Sequence, residues 1–257
     1  MVTLASIAGI PIGLDEDSTQ VVYDVENMVC GSTKHISLRD ISPALLNKAL
    51  RYPESVYAHH CNMVMKQDAD KWPEKFNYEI IYLPAGLLGI EYIKTHIFYT
   101  AWQPAKAAAV IQVILGVLTV ILQKNKSNLD PYDIELSVED ACIMEIAQGE
   151  KVTIPSGYYY TFVNTHEAPV VFARLVASEQ ALDYQTLQRV NGLAYYLIAK
   201  NARQELVTNP RYRSLVEVKQ ISVDELNTTV GYRANSKVPL YQEVCNNRKV
   251  FEVLLVA

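Results

Sequence analysis

Five histidines and a few isolated carboxylates are the residues of this 257-residue chain best suited to acid–base or metal chemistry. His96 is one candidate general base, and Glu91 and Glu145 are the others; each lies on or beside an apolar stretch. Carboxylates at strand ends are usually solvated, which weakens both glutamates as bases. His59 and His60 are adjacent, so on a strand their side chains would point to opposite faces. His96 lies two residues before Phe98 and would share its face, but one ring alone holds no cation tightly. His35 and His166 read as loop or surface residues. The four cysteines (Cys30, Cys61, Cys142 and Cys245) show no CxxC spacing. They indicate neither a zinc knuckle nor a thioredoxin-type centre and read as buried or free thiols of a reducing cytosol, with one or two disulfides as the alternative. No GxSxG, P-loop, HExxH or dinucleotide fingerprint occurs, and ten glycines are too few for a phosphate cradle.

The elements that must position these residues follow from composition and pattern. Hydrophobic residues make up 50% of the chain and charged residues 20%, enough for a packed core. A net charge of −5 gives no field to attract nucleic acid or anionic lipid, and neither partner is expected. Met1–Leu14 lacks the basic start and cleavage site of a signal peptide. The apolar run 107–122 is short for a membrane span and rich in β-branched residues, so it reads as two buried strands meeting at Gly116. The expected location is the cytoplasm. Ser42-Pro43 predicts a helix start, with Leu45, Leu46, Ala49 and Leu50 as its apolar stripe and Tyr52-Pro53 as its end. From Phe76 onward, short strands are expected at 78–83, 91–102, 109–115, 117–123, 140–145, 151–155, 158–164 and 170–176. Strands so many and so short predict an all-β sandwich or barrel with a few peripheral helices. A loop, a helical turn and a strand at 194–199 follow, then a short helix from Pro239 to Cys245.

One spacing is specific. Gly149, Pro155, Gly157, Tyr160 and Asn164 match the pattern G-x5-P-x-G-x2-H-x3-N at every interval, with tyrosine in the histidine place. This is the second motif of the cupins, and the chain resembles a cupin (double-stranded β-helix or jelly-roll) barrel. Over roughly residues 8–200 it is similar to one cupin family, the archaeal type of glucose-6-phosphate isomerase. That family's first motif reads here as Glu91, Tyr92, Ile93, Lys94, Thr95, His96, Ile97, Phe98, Tyr99 and Thr100. Its D-Y-G-x-I segment reads as Asp183, Tyr184, Gln185, Thr186 and Leu187. The tail 239–255 also resembles that of longer members. The expected organisation is an N-terminal part (1–75), the barrel (76–200) and a C-terminal extension (201–257).

The resemblance implies four metal ligands inside the barrel, and their places here hold Phe98, Thr100, Ala109 and Tyr160, with Ala107 a rival to Ala109. Phenylalanine and alanine offer no lone pair to a divalent cation. No metal and no cofactor are therefore expected. Thr95 keeps its place near the family's phosphate contact; with His96, Tyr99, Tyr160 and Tyr184 it forms the candidate set for a small ligand, a sugar phosphate above all. The family's glycine before the first histidine is Ile97. The expected function is that of a metal-free, catalytically inactive homologue serving as a structural, regulatory or ligand-binding subunit. It would act as a homodimer or as a heteromer with a paralogue. The alternative is a glucose-6-phosphate/fructose-6-phosphate isomerase with an atypical acid–base site.

Overall fold

The computed structural model describes residues 1–15, 20–99, 105–126, 137–178, 185–232, 235 and 237–256. Strand makes up 48% of the chain and helix 18%, so β-structure dominates as expected. The larger sheet has six strands: β4 (Met28–Ser37), β5 (Ser55–Met65), β6 (Phe76–Leu83), β10 (Ala107–Leu115), β13 (Lys151–Pro155) and β15 (Val170–Ala177). Their order is β13-β10-β15-β6-β5-β4. The facing sheet contains β9 (Phe98–Tyr99), β11 (Val117–Asn125), β12 (Val138–Ala147), β14 (Tyr159–Val163) and β18 (Lys219–Gln220), in the order β18-β12-β11-β14-β9. All these pairings are antiparallel except β12 with β18. A meander of β1 (Val2–Thr3), β2 (Ile12–Asp15) and β3 (Gln20–Tyr23) stands beside them. So does a four-stranded sheet of β7 (Leu87–Leu88), β8 (Glu91–Tyr92), β16 (Tyr195–Lys200) and β17 (Arg203–Thr208).

Alternation along each strand decides which residues meet. Ile111 and Val113 of β10, Leu118, Val120 and Leu122 of β11, and Cys142, Met144 and Ile146 of β12 point inward. They share one buried cluster with Tyr160 and Phe162 of β14 and with Phe172 of β15. That cluster is the barrel interior. The opposite face of the larger sheet, carrying Tyr78, Ile80, Val110, Ile114 and Leu175, packs on both ends of the chain. There it meets Leu4, Ala8 and Ile10, and the helices α5 (Leu240–Asn246) and α6 (Arg248–Leu255) through Leu240, Val244, Phe251 and Leu254.

Gly116 joins β10 to β11 at φ +81°, but the two strands do not pair with each other; the chain passes there from one sheet to the other. A Cβ at Gly116 would stand 2.7 Å from the Pro169 carbonyl oxygen, so glycine is required by space as well as by conformation. The motif asparagine has an equally local reason. Buried Asn164 donates to the carbonyls of Leu83, Pro84 and Ala168 at 3.3, 3.0 and 2.9 Å, tying the end of β14 to the end of β6. Lys151, its side chain wholly buried, donates to Glu243 Oε2 at 2.6 Å, to Asn235 O at 2.7 Å and to Val238 O, and so pins α5 against β13.

Two expectations are corrected. The helix expected to start at Ser42 is only a 3-10 turn, Ser42–Ala44, after a four-residue helix α2 (Leu38–Ile41) that Ser37 and Asp40 cap. Lys94 Nζ takes the Ala44 carbonyl at 3.0 Å and Glu91 Oε2 takes the Leu46 amide at 2.6 Å. These tertiary bonds use the backbone groups a helix would need. Of the strand expected at 91–102, residues 100–102 lie outside the described residues, and 91–99 holds two short pieces, β8 and β9, because β8 pairs with β16 and β9 with β14 in a different sheet. No described helix is long and apolar enough to cross a membrane.

Candidate functional site

Inside the barrel, the strands bring a charged cluster into an otherwise apolar space. Arg174 of β15 and Glu79 of β6 are direct partners in the antiparallel register, and both face inward. Arg174 Nη1 donates to Glu79 Oε2 at 2.6 Å, with both side chains about 95% buried (4% and 5% exposed). Nη2 of the same guanidinium donates to the Tyr160 hydroxyl at 3.1 Å, and its central carbon lies 4.2 Å from the Phe98 ring centroid. A cation seated on a desolvated ring gains about 2 kcal/mol. The rings continue the packing: Phe98 stacks on Tyr160 at 5.4 Å, and Phe162 joins them at 5.6 Å from each and meets Phe172 at 4.6 Å.

Charge state follows from these neighbours. Burial pushes the Glu79 carboxyl up, but Arg174 and His59 outweigh it and bring its pKa down to about 2. Burial pushes His59 down, yet the Cys61 thiol and the Glu79 carboxylate beside it lift the ring to about 9. Burial, with help from His59 and Arg174, depresses His96 to about 3, so that ring is neutral. Tyr160 is raised by burial and stays a phenol.

The residues singled out in the sequence fall into separate places. Phe98, Ala109 and Tyr160 all belong to the barrel interior. Ala107 belongs to the outer cluster, because a register shift between Ala107 and Ala109 turns the strand. Thr100 and Tyr184 lie outside the described residues. His96 packs 4.2 Å from Phe98, on the same face as expected, and bonds the Tyr57 hydroxyl through Nδ1. Thr95 is buried, and its hydroxyl donates to His96 O at 2.9 Å and accepts from Phe162 N at 3.1 Å. Tyr99 stacks on Tyr159 at 4.0 Å and packs with a third cluster, away from Phe98. His59 and His60 do face opposite ways: His59 lies toward Glu79 at 3.0 Å, while His60 bonds Thr33 Oγ1 at 2.9 Å on the outer side.

Of the candidate bases, Glu91 is buried rather than solvated, held by Lys94 Nζ at 2.6 Å and by the Leu46 amide. Glu145 is exposed and paired with His166 at 3.4 Å. Neither belongs to the interior cluster. Glu79 and Arg174 escaped the sequence reading. Their signal was a single carboxylate and a single guanidinium, each at an inward position of an apolar strand.

A family model described as Glucose-6-phosphate isomerase (GPI) matches residues 42–213, two thirds of the chain. The chain belongs to the cupin-type glucose-6-phosphate isomerase family. No curated protein matches it. Among solved structures it is similar to oxalate decarboxylase of Lactobacillus farciminis (11% identity, TM-score 0.34), covering 52% of this chain and 32% of that one. Vicilin of Capsicum annuum shows 13% identity and a TM-score of 0.34, over 55% and 34% of the two chains. A cupin domain of Schizosaccharomyces pombe shows 12% and 0.29, over 52% and 72%. The chain thus spans about a third of the length of the first two, and the likeness concerns the fold alone.

Membership of the isomerase family implies a divalent metal, and three of the four places that the sequence resemblance assigns to its ligands lie among the described residues. The Phe98 ring and the Ala109 methyl donate nothing, and the Tyr160 hydroxyl is engaged by Arg174. The guanidinium over Phe98 already supplies a positive charge there.

Proposed function

We propose that this member of the isomerase family is non-catalytic and serves as a structural, regulatory or small-ligand-binding subunit, as a homodimer or with a catalytically competent paralogue. The observation that carries the reading is the Arg174 guanidinium, paired with Glu79, bonded to Tyr160 and lying 4.2 Å over Phe98. Isomerisation between C1 and C2 of a sugar needs a polarised carbonyl together with a base or a metal. Here the aromatic rings and a fixed cation take up the space where both would act. A cleft beside His96 is lined by the apolar side chains of Ile41, Ile97 and Leu187 and by Asp40. The acid–base alternative lacks support from Glu91 and Glu145, which stand apart from the interior.

The test is a coupled assay of glucose-6-phosphate/fructose-6-phosphate interconversion with the tag-free chain, before and after addition of Mn²⁺, Fe²⁺ or Zn²⁺. A competent family member serves as the positive control. The expected result is no turnover above the blank in any condition. Turnover that a chelator abolishes and metal restores would overturn the reading.

A further inference from the structure

We propose that His59, Cys61 and Glu79 form a zinc-binding site in the barrel wall, distinct from the family's metal place. The nitrogen, sulfur and oxygen donors all lie within 4.8 Å of one another, and all three residues are buried. Such a mixed set suits zinc, a borderline-soft cation. His59 and Cys61 share the inward face of β5 because they are two residues apart, and Glu79 reaches them from neighbouring β6. The geometry between donors points to a shared target. His59 Nε2 stands 3.0 Å from Glu79 Oε2, the same oxygen that Arg174 engages. Two donors bound to one ion at 2.0–2.2 Å stand roughly 3.4 Å apart in a tetrahedral site, close to the separation seen.

The carboxylate is also steadied from outside, by Arg174 on Oε2 at 2.6 Å and by Asn77 Nδ2 on Oε1 at 3.1 Å. Neighbours that orient a ligating carboxylate in this way are usual around bound metals. Arg174 does not forbid the ion here, because a thiolate and a carboxylate stand against the two charges of zinc; the place beside Phe98 has no such anions. Binding releases the thiol proton and one imidazolium proton, so Zn²⁺ enters with no change in the summed charge of the four groups.

The full-length, tag-free chain is stripped with chelator, reloaded with Zn²⁺, desalted and analysed for metal by mass spectrometry. One zinc per chain is expected, with affinity lowered about 100-fold in Cys61→Ser and in His59→Ala, and unchanged in the control Cys142→Ser. Because a wall variant could misfold, the wild-type chain is also loaded with Co²⁺, which must show a thiolate-to-cobalt charge-transfer band. A wild type that keeps no zinc, or a cobalt form without that band, overturns the site. Zinc retained undiminished in a folded Cys61→Ser chain does the same, and would point to the family's own place instead. None of these readouts depends on isomerase turnover, so this site and the non-catalytic reading can fail separately.

Discussion

Replacing Arg174 by methionine isolates what the guanidinium does. Methionine refills part of the volume but removes three things: the 2.6 Å pair with Glu79, the 3.1 Å bond to Tyr160 and the contact with the Phe98 ring at 4.2 Å. Breaking a buried ion pair from one side leaves an uncompensated charge and costs about 3–5 kcal/mol. Losing the cation–ring contact and the phenol's partner adds about 1–2 kcal/mol, partly offset by the new apolar side chain. Arg174→Met should therefore destabilise by about 4–5 kcal/mol. At roughly 2–4 °C per kcal/mol for a chain of this size, the melting temperature falls by about 10–15 °C. The double variant Glu79→Gln/Arg174→Met removes the carboxylate and the guanidinium together, and His59, left without its anion, is held neutral by burial; it should lose only about 2 kcal/mol, since buried pairs exchanged for neutral groups are often nearly neutral. Urea unfolding of the wild type, both single variants and the double variant closes the cycle, with all four chains treated with chelator to keep metal out of the comparison. A coupling energy of about 3 kcal/mol or more is expected. A single variant within about 1 kcal/mol of wild type, or additive effects, would refute the claim that this pair holds the interior.

Lys151→Met should cost about 3–5 kcal/mol, because Glu243 stays buried without its cation and two carbonyls lose a donor; an unchanged urea midpoint would show that the anchor of α5 lies elsewhere. Asp140 supplies the pH dependence: burial raises its pKa, but Lys219 and Tyr158 hold it below the ordinary range. A depressed carboxyl contributes stability that is full above the unfolded pKa of about 3.9 and is lost as pH falls toward the folded value. Asp140→Asn should therefore cost about 1 kcal/mol at pH 7 and progressively less as the pH is lowered below the unfolded pKa of about 3.9, as read from unfolding midpoints across that range; an effect that does not change with pH would contradict it.

The barrel was legible because its strands are rich in β-branched residues and separated by turns, and because Gly149, Pro155, Gly157 and Asn164 keep a spacing that each satisfies locally. Asn164, for example, closes three carbonyls by itself. The stretch after Ser42 was misread because the Ser42 hydroxyl donates back to the Arg39 carbonyl at 3.0 Å instead of capping, and because Lys94 and Glu91, remote in sequence, claim the Ala44 carbonyl and the Leu46 amide. Gly116 was read rightly as the place where two strands meet, while its crossing between sheets depends on pairings that no local pattern carries. The interior cluster was half legible. Phe98, Ala109 and Tyr160 stood out against a known motif, whereas Glu79 and Arg174 become partners only through the β6–β15 register. His59 and Cys61 likewise needed the whole of β5 to be a strand before their shared face was visible.

The most direct measurement is an anomalous-scattering map from crystals of the full chain soaked in Mn²⁺ and fructose 6-phosphate. The expected map has no peak among Phe98, Ala109 and Tyr160, and shows the Arg174 guanidinium against the Phe98 ring. A manganese peak coordinated in that place, with the sugar beside it and Arg174 turned away, would contradict a barrel closed by its own side chains.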